Sequence, residues 1–420
     1  MDVLTLGEAR FPSPIPHTVD DRIRIPIHIA TIPGEPPKDD GSFELAGPRP
    51  RLFFDPKATR AGIVTCGGLC PGLNNVIRSL YLELHHIYQA KEVLGFRNGY
   101  QGLDPQVGAP PIVLTDDFVE DIHKEGGTVL GTSRGPANVE KAVDNLIRLG
   151  VDILFTVGGD GTQRGANALF QEARKRGHAL SVVGIPKTID NDVAFVSQSF
   201  GYLTAVEQAA EVIERAHTEA HSVHNGVSLV KLMGRDAGFV AAGATVASQD
   251  VNFTLIPEQP FKLEGEQGLL AALKRRLQKR AHAVIVVAEG AGQDLFPSGS
   301  DERDASGNPK IKDIGLLLKE KIETYFKAEK MPMVLRYFDP SYFVRSSRAD
   351  SEDSILCDLF ARNAVHAAMA GKTGVVIGHI HDHFVHVPIE KLTSTKKRVD
   401  LNSSGWYAVL ASTGQPRSFM

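Results

Sequence analysis

Three short stretches of this chain carry residue types whose spacing suits phosphate chemistry. Gly158-Gly159-Asp160-Gly161-Thr162-Gln163 stands between an apolar run and a helical stretch. A glycine turn there leaves backbone N–H groups unpaired at a helix start, where they suit phosphate oxygens. Asp160 adds a hard oxygen ligand of the kind that Mg2+ takes together with substrate phosphates. Pro186-Lys187-Thr188-Ile189-Asp190-Asn191-Asp192 follows another apolar run and sets two carboxylates two residues apart. One can activate a hydroxyl while the other helps organise a cation, and without a cation their charges push the two pKa values apart. Lys231-Leu232-Met233-Gly234-Arg235-Asp236 ends a third run, and its Arg can stabilise a transferring phosphoryl group without titrating. Each stretch also has a purely structural reading: a capping Asp, an Asx-rich turn, an Arg paired with Asp236. Their company in one chain favours chemistry.

Three further signals are weaker. Gly67-Gly68-Leu69-Cys70-Pro71-Gly72-Leu73-Asn74 fits a phosphate loop and a plain strand–helix turn about equally. Glu289-Gly290 ends another apolar run, where a carboxylate can accept from sugar hydroxyls. Tyr342-Phe343-Val344-Arg345 carries an Arg able to hold a phosphate monoester bidentately.

The elements that must position these residues follow a repeating pattern. Gly62–Cys66, Val151–Val157, Leu180–Ile185, Val227–Met233 and Ala283–Ala288 are short apolar runs without polar alternation, as expected of strands buried on both faces. Helical stretches are expected from Leu73, from Thr162, over Tyr202–Ala220 and over Ala237–Ser248. Alternating strand and helix implies an α/β fold with parallel sheets, whose ligands sit beyond the carboxyl ends of the strands. The glycine turns lie at those ends.

Residues 1–55 are Pro-rich and read as an extension wrapping the surface, with one short strand at Ile23–Ile29. The expected division is 1–55 as that extension, 56–201 as a nucleotide-binding unit to which part of 350–395 returns, 202–349 as a sugar-phosphate unit, and 396–420 as a C-terminal segment. Ser298–Pro309 reads as a mobile loop. The Lys274–Arg280 run reads as the solvated face of a helix ending before Ala281. His379, His381, His383 and His386 read as two strands and a turn, so alternate histidines face opposite ways and no metal tract is expected. Cys66 and Cys70 lack a second pair and read as core.

Composition narrows the classes. The 420 residues hold 46 Lys+Arg and 50 Asp+Glu, a net charge of −4, which argues against a nucleic-acid binder that works by bulk charge. No apolar run reaches the roughly 18 residues of a membrane span. Three cysteines fit a reducing compartment, and Met1–Pro16 shows no secretory pattern, so the expected location is the cytoplasm.

Taken together, the six signals resemble the phosphofructokinase family from Ala61 onward, most specifically in GGDGT, PKTIDND and KLMGRDAGF. The long extension, the CGGLCPGLN turn and YFVR look most like the plant and trypanosome branch. The resemblance implies two Rossmann-like parallel-sheet domains with the active site between them. It implies a glycolytic, allosteric kinase of fructose 6-phosphate, a homo-oligomer (dimer or tetramer), with ATP as donor and Mg2+ as cofactor. By the same resemblance Gly67, Arg134 and Gly135 line the nucleotide. Gly159, Asp160, Gly161 and Thr162 take the donor phosphates, with Asp160 on Mg2+. Thr188, Ile189 and Asp190 meet the sugar, Asp190 accepting the proton of its 1-hydroxyl. Met233, Gly234, Arg235 and Glu289 bind the sugar phosphate, Arg235 also serving catalysis, and Tyr342 and Arg345 hold the 6-phosphate.

Two positions depart from the short bacterial members of that family. Gly226 stands where they carry an Arg that reaches a neighbouring subunit's substrate, which puts that contact and its regulation in question. Lys187 stands where they carry Gly, and a Lys there goes with pyrophosphate as well as with ATP. Gly161 points the other way, because an Asp at that place goes with pyrophosphate. A pyrophosphate-dependent enzyme is therefore the nearest rival. An NAD or lipid kinase shares GGDGT but not PKTIDND, MGR and YFVR. A catalytically inactive regulatory subunit would be expected to lack Asp160, Asp190 or Arg235.

Overall fold

The computed structural model describes residues 2–31, 33, 40–135, 138–296 and 310–420. Two sheets organise the chain. Their strands are β1 (Arg24–Pro26), β2 (Ser42–Leu45), β3 (Arg60–Thr65), β4 (Glu92–Gly95), β5 (Ile112–Val113), β6 (Ile153–Gly158), β7 (Ser181–Pro186), β8 (Gly226–Leu232), β9 (Phe253–Leu255), β10 (His282–Ala288), β11 (Val334–Phe338), β12 (Val375–Ile380) and β13 (His383–Pro388). The larger sheet has nine strands in the order β1-β2-β13-β12-β7-β6-β3-β4-β5, and the smaller has four in the order β9-β10-β8-β11. The helices that matter below are α1 (Leu73–Leu82), α2 (Val139–Leu149), α3 (Asp160–Lys175), α4 (Tyr202–His221), α5 (Phe239–Ser248), α6 (Leu269–Arg280), α7 (Ile314–Ala328) and α8 (Ser351–Met369).

Every residue of β6, β7 and β8 is buried, which explains why these segments are apolar throughout instead of alternating. Period-two geometry divides the smaller sheet between two cores. Val230, Leu232, Val284 and Val286 join the large core that surrounds the nine-stranded sheet. Val227, Leu229, Ile285 and Val287 face a second core closed by Leu273 of α6 and Leu318 and Ile322 of α7.

The smaller sheet is wholly parallel. The larger one is parallel from β4 through β12, with antiparallel strands added at both edges. The edge strands β1 and β2 come from the Pro-rich extension, so that segment builds the sheet as well as covering it. The strand expected over Ile23–Ile29 is cut to three residues. What anchors the extension is a buried ion cluster: Glu44 meets Arg49 at 2.7 Å, Lys372 at 2.6 Å and His386 at 3.0 Å.

Other boundaries shift modestly. Helix α3 begins at Asp160, two residues before the expected Thr162, and α5 begins at Phe239 instead of Ala237. The expected loop at 298–309 lies outside the described residues. The histidine segment is the strand pair β12–β13 turning at His381 and Asp382, and its His386 is buried against Glu44. Cys66, Cys70 and Cys357 are free and buried. Gly72, at φ +98°, opens α1, and a Cβ there would meet Cys357 Sγ at 2.4 Å, so both backbone and packing demand glycine. Gly226 is equally constrained: a Cβ would lie 2.1 Å from the Ala220 carbonyl oxygen, so the Arg of the short bacterial pattern has no room without a backbone shift.

Candidate active site

The carboxyl ends of β3, β6, β7 and β8 open on one cleft of about 810 Å³. Gly159, Asp160, Gly161 and Thr162 form its wall after β6. Because α3 starts at Asp160, the N–H groups of its first turn include those of Gly161 and Thr162, which have no intrahelical acceptor. Two side chains hold this turn. Tyr100 donates its hydroxyl to the Thr162 carbonyl at 2.6 Å. Gln163, buried, donates its Nε2 to the carbonyls of Gly158 at 2.9 Å and Ile185 at 3.3 Å, clamping the ends of β6 and β7 together. Gly161 opens into space: the nearest atom to an added Cβ is Arg164 Nη2, at 4.0 Å.

The loop after β7 supplies Lys187, Thr188, Ile189, Asp190 and Asp192 to the same cleft. Its shape is set by short polar links. Thr188 donates its hydroxyl to Asp192 at 2.9 Å and accepts from the Asp190 N–H at 3.0 Å. Ser199 donates to the Thr188 carbonyl at 2.7 Å, and its own N–H donates to Asn191 Oδ1 at 3.0 Å. Asn191 takes φ +53°, which turns the chain between the two aspartates. Lys187 is buried and donates to the Gly68 carbonyl at 2.6 Å, tying the β7 loop to the β3 turn; burial holds its ammonium below the usual lysine range.

Asp190 is the chemically exposed member of this loop. Its Oδ1 is buried with no hydrogen-bond partner. Burial above all, then the charges of Asp192 and Glu289, push its carboxyl well above the ordinary aspartate range. Such a carboxylate is under-solvated and primed to take a proton. Across the cleft Asp160 is also raised, by burial first and then by Asp192, while Lys396 and Arg164 oppose the shift. Two carboxylates that repel across a cleft fit a hard divalent cation, whose charge would remove the conflict.

Met233, Arg235 and Arg345 line the same cleft. Arg134 and Arg345 both approach Gly68, where an added Cβ would lie 3.8 Å and 3.6 Å from their guanidinium nitrogens. Ser133, Arg134 and Gly135 complete the wall beside Gly67. Gly234 and Glu289 stand behind the lining instead of in it; Gly290 N–H donates to the Gly234 carbonyl at 3.1 Å, which joins the two strand ends. Burial raises the Glu289 carboxyl, with Arg235 opposing. Tyr342 does not line the cleft. It is 76% exposed, and its ring lies 4.6 Å from the Arg345 guanidinium carbon, so it braces the arginine from outside.

Four lining residues had no signal in the sequence: Tyr100, Arg164, Val193 and Lys396. Lys396 comes from the C-terminal segment and pairs with Asp236 at the cleft mouth. The Val193–Lys396 backbone bridge, with the Lys397 N–H donating to the Asp192 carbonyl at 3.0 Å, brings it there.

The family model described as "Phosphofructokinase" matches residues 60–368, which takes in every lining residue of this cleft except Lys396. The chain belongs to the phosphofructokinase family. Among its relatives is the protein named ATP-dependent 6-phosphofructokinase of Borreliella burgdorferi, 49% identical over 386 residues, 90% of this chain and 86% of that one. The protein of that name in Trypanosoma brucei brucei is 49% identical over 87% of this chain and 75% of its own. ATP-dependent 6-phosphofructokinase 1 of Arabidopsis thaliana is 45% identical over 96% and 84%. The solved pyrophosphate-dependent phosphofructokinase of Marinobacter aquaeolei shares the fold at a TM-score of 0.70, with 20% identity over 86% of this chain and 93% of its own. Plant and trypanosome phosphofructokinases thus stand among the relatives, in keeping with the extension and the CGGLCPGLN turn. Among the described residues, no helix is long and apolar enough to cross a membrane.

Proposed function

We propose that this phosphofructokinase transfers the γ-phosphoryl group of ATP to the 1-hydroxyl of D-fructose 6-phosphate, giving ADP and fructose 1,6-bisphosphate. The observation that carries the reading is the buried, unpartnered Asp190 carboxylate oxygen between a helix-start phosphate turn and two guanidinium groups. The names of relatives 44–49% identical support the same activity.

In this reading the N–H groups of Gly161 and Thr162 receive donor phosphate oxygens. Gly67, Arg134 and Gly135 border the nucleotide. Thr188 and Ile189 seat the sugar so that its 1-hydroxyl meets Asp190, which accepts the proton as the oxygen attacks phosphorus. Met233, Gly234 and Glu289 shape the sugar-phosphate side. Arg345, braced by Tyr342, holds the 6-phosphate, and Arg235 offsets charge on the transferring group. Mg2+ would sit at Asp160, where it neutralises phosphate charge when bound. Positioning and preorganised charge supply most of the rate gain, as in phosphoryl transfer generally.

ATP is favoured over pyrophosphate on two observations. Gly161 leaves open space where a nucleotide's inner phosphate and ribose pass, and the Lys187 ammonium is already bound to the Gly68 carbonyl. The working division is an N-terminal extension to 55, a nucleotide unit of 56–201 with 350–395 returning to it, a sugar-phosphate unit of 202–349 and a closing segment of 396–420. The return of β12 beside β7 supports it. Ile355 and Leu359, one turn apart and exposed on α8, support a homo-oligomer. Three buried free thiols support a cytoplasmic setting. The test is a coupled assay in which aldolase and its partner dehydrogenase consume the product. Turnover requiring both fructose 6-phosphate and ATP supports the reading, and phosphorylation of another sugar phosphate in its place rejects it.

A further inference from the structure

Away from the cleft, the described residues hold one group of three metal-capable side chains whose ligand atoms all lie within 4.8 Å of one another: His85, His86 and Asp116. None of the three lines the cleft. Both imidazoles offer Nε2 to one carboxylate, His86 to Oδ1 at 2.8 Å and His85 to Oδ2 at 3.8 Å.

A local irregularity of the backbone builds this arrangement. Directly after α1, Glu83–Ile87 is π-helical, and the Tyr88 N–H reaches the Glu83 carbonyl at 3.1 Å. Such wide turns are rare and concentrate at functional sites. Here the two consecutive imidazoles stand edge to face, with centroids 5.2 Å apart, above the same carboxylate. Tyr81 stacks flat on His85 at 5.1 Å and fixes that ring. Asp116 opens the short helix Asp116–Val119, but Thr115 supplies its cap by accepting from the Phe118 N–H at 3.2 Å. The carboxylate is therefore not needed for helix capping.

We propose that His85, His86 and Asp116 bind a divalent transition cation of the zinc class. Two imidazole nitrogens and one carboxylate oxygen suit Zn2+, Co2+ or Ni2+, whereas Mg2+ and Ca2+ prefer all-oxygen shells. Metal–ligand bonds of about 2.0–2.1 Å at tetrahedral angles place neighbouring ligand atoms about 3.3 Å apart. The observed 2.8 and 3.8 Å separations straddle that spacing, so small side-chain rotations admit the ion. With side chains roughly half exposed, the ion enters from solvent, and water fills the remaining position. The bound ion links the π-helical end of α1 to the Asp116–Val119 segment. The other imidazole cluster, His217, His221 and His282, is stacked ring on ring, and its ligand atoms do not gather within 4.8 Å of one another.

The experiment is a Co2+ titration of the full chain, without nucleotide or sugar phosphate, followed by visible absorption, with Zn2+ as competitor and a thermal melt in parallel. The expected result is one ion bound with a Kd in the micromolar range, displaced by Zn2+ and unaffected by millimolar Mg2+. His85→Ala, His86→Ala and Asp116→Asn should each weaken Co2+ binding at least tenfold and abolish the Zn2+-dependent rise in Tm, while His217→Ala changes neither. All three positions are exposed, so the metal-free melts of the variants should match wild type and certify the fold. Wild type that takes up no Co2+ below millimolar, or an Asp116→Asn variant that binds as tightly as wild type, overturns the proposal and leaves a plain surface ion pair.

Discussion

Replacing Asp190 with Ser separates catalysis from folding with opposite signs. In the folded protein this carboxyl is buried, has an unpartnered oxygen, and is repelled by Asp192 and Glu289. On the proposed reading, removing it takes away the proton acceptor, a contribution of roughly 10²–10⁴ in rate, or about 3–5 kcal/mol of transition-state stabilisation. It also removes a charge that opposes folding. A carboxyl raised by the fold favours the folded state only when protonated, so its cost is present at neutral pH and disappears as pH falls below the ordinary carboxylate range. We therefore expect kcat to fall by 10²–10⁴ with little change in the fructose 6-phosphate KM. Tm at pH 7 should be equal to or above wild type, and the difference should close by about pH 3–4, around the ordinary aspartate pKa. The acid limb of wild-type kcat/KM should also lie above that of an ordinary aspartate and vanish in the variant. Initial rates in the coupled assay and melts across pH read all of these. Near wild-type kcat would remove Asp190 from the chemistry, and a large loss of Tm would show that its carboxylate supports the fold.

Gly161→Asp should fold normally, since the nearest atom to its Cβ lies 4.0 Å away, yet lose ATP-dependent turnover at least tenfold, about 1.4 kcal/mol, more than it loses sugar-phosphate affinity. Arg345→Ala should raise the fructose 6-phosphate KM by about 10–150-fold, the equivalent of one charge-assisted phosphate contact; a rise in the ATP KM alone would misplace the 6-phosphate pocket. Glu44→Gln should lower Tm at pH 7, because Arg49 and Lys372 lose their buried counter-charge. In wild type burial lowers the His386 pKa, so stability falls as pH drops below the ordinary histidine value of about 6.5, and the depressed Glu44 adds a further loss below about 4.5. The variant should keep the first loss and lack the second, as melts between pH 8 and 4 would reveal.

The parts of the site that sequence exposed are those where chemistry and local geometry coincide. Strand, glycine turn and helix are consecutive in GGDGT, so the phosphate turn is legible without tertiary knowledge, and PKTIDND carries its own Asx and Thr links. Arg164 and Tyr100 were not legible because each reaches the cleft from an ordinary helical or loop position. Lys396 arrives more than 150 residues after Asp236, its ion-pair partner, through long-range backbone links to Asp192 and Val193. Tyr342 was misdirected for the converse reason: its motif fixes its neighbour Arg345, but not which side of the guanidinium the ring takes. In the fold, the buried strands announced themselves by unbroken apolar runs. The edge strand β2 did not, because four residues close to a proline-rich stretch carry no periodicity, and β1 fills only three residues of the expected Ile23–Ile29.

The most direct measurement of the central claim compares phosphoryl donors on one preparation, with fructose 6-phosphate as acceptor and product detected through aldolase. The open backbone at Gly161 and the committed ammonium of Lys187 predict turnover with ATP and Mg2+, and little or none with pyrophosphate. Turnover with pyrophosphate and none with ATP would contradict the account, and would show that Lys187 sets the donor.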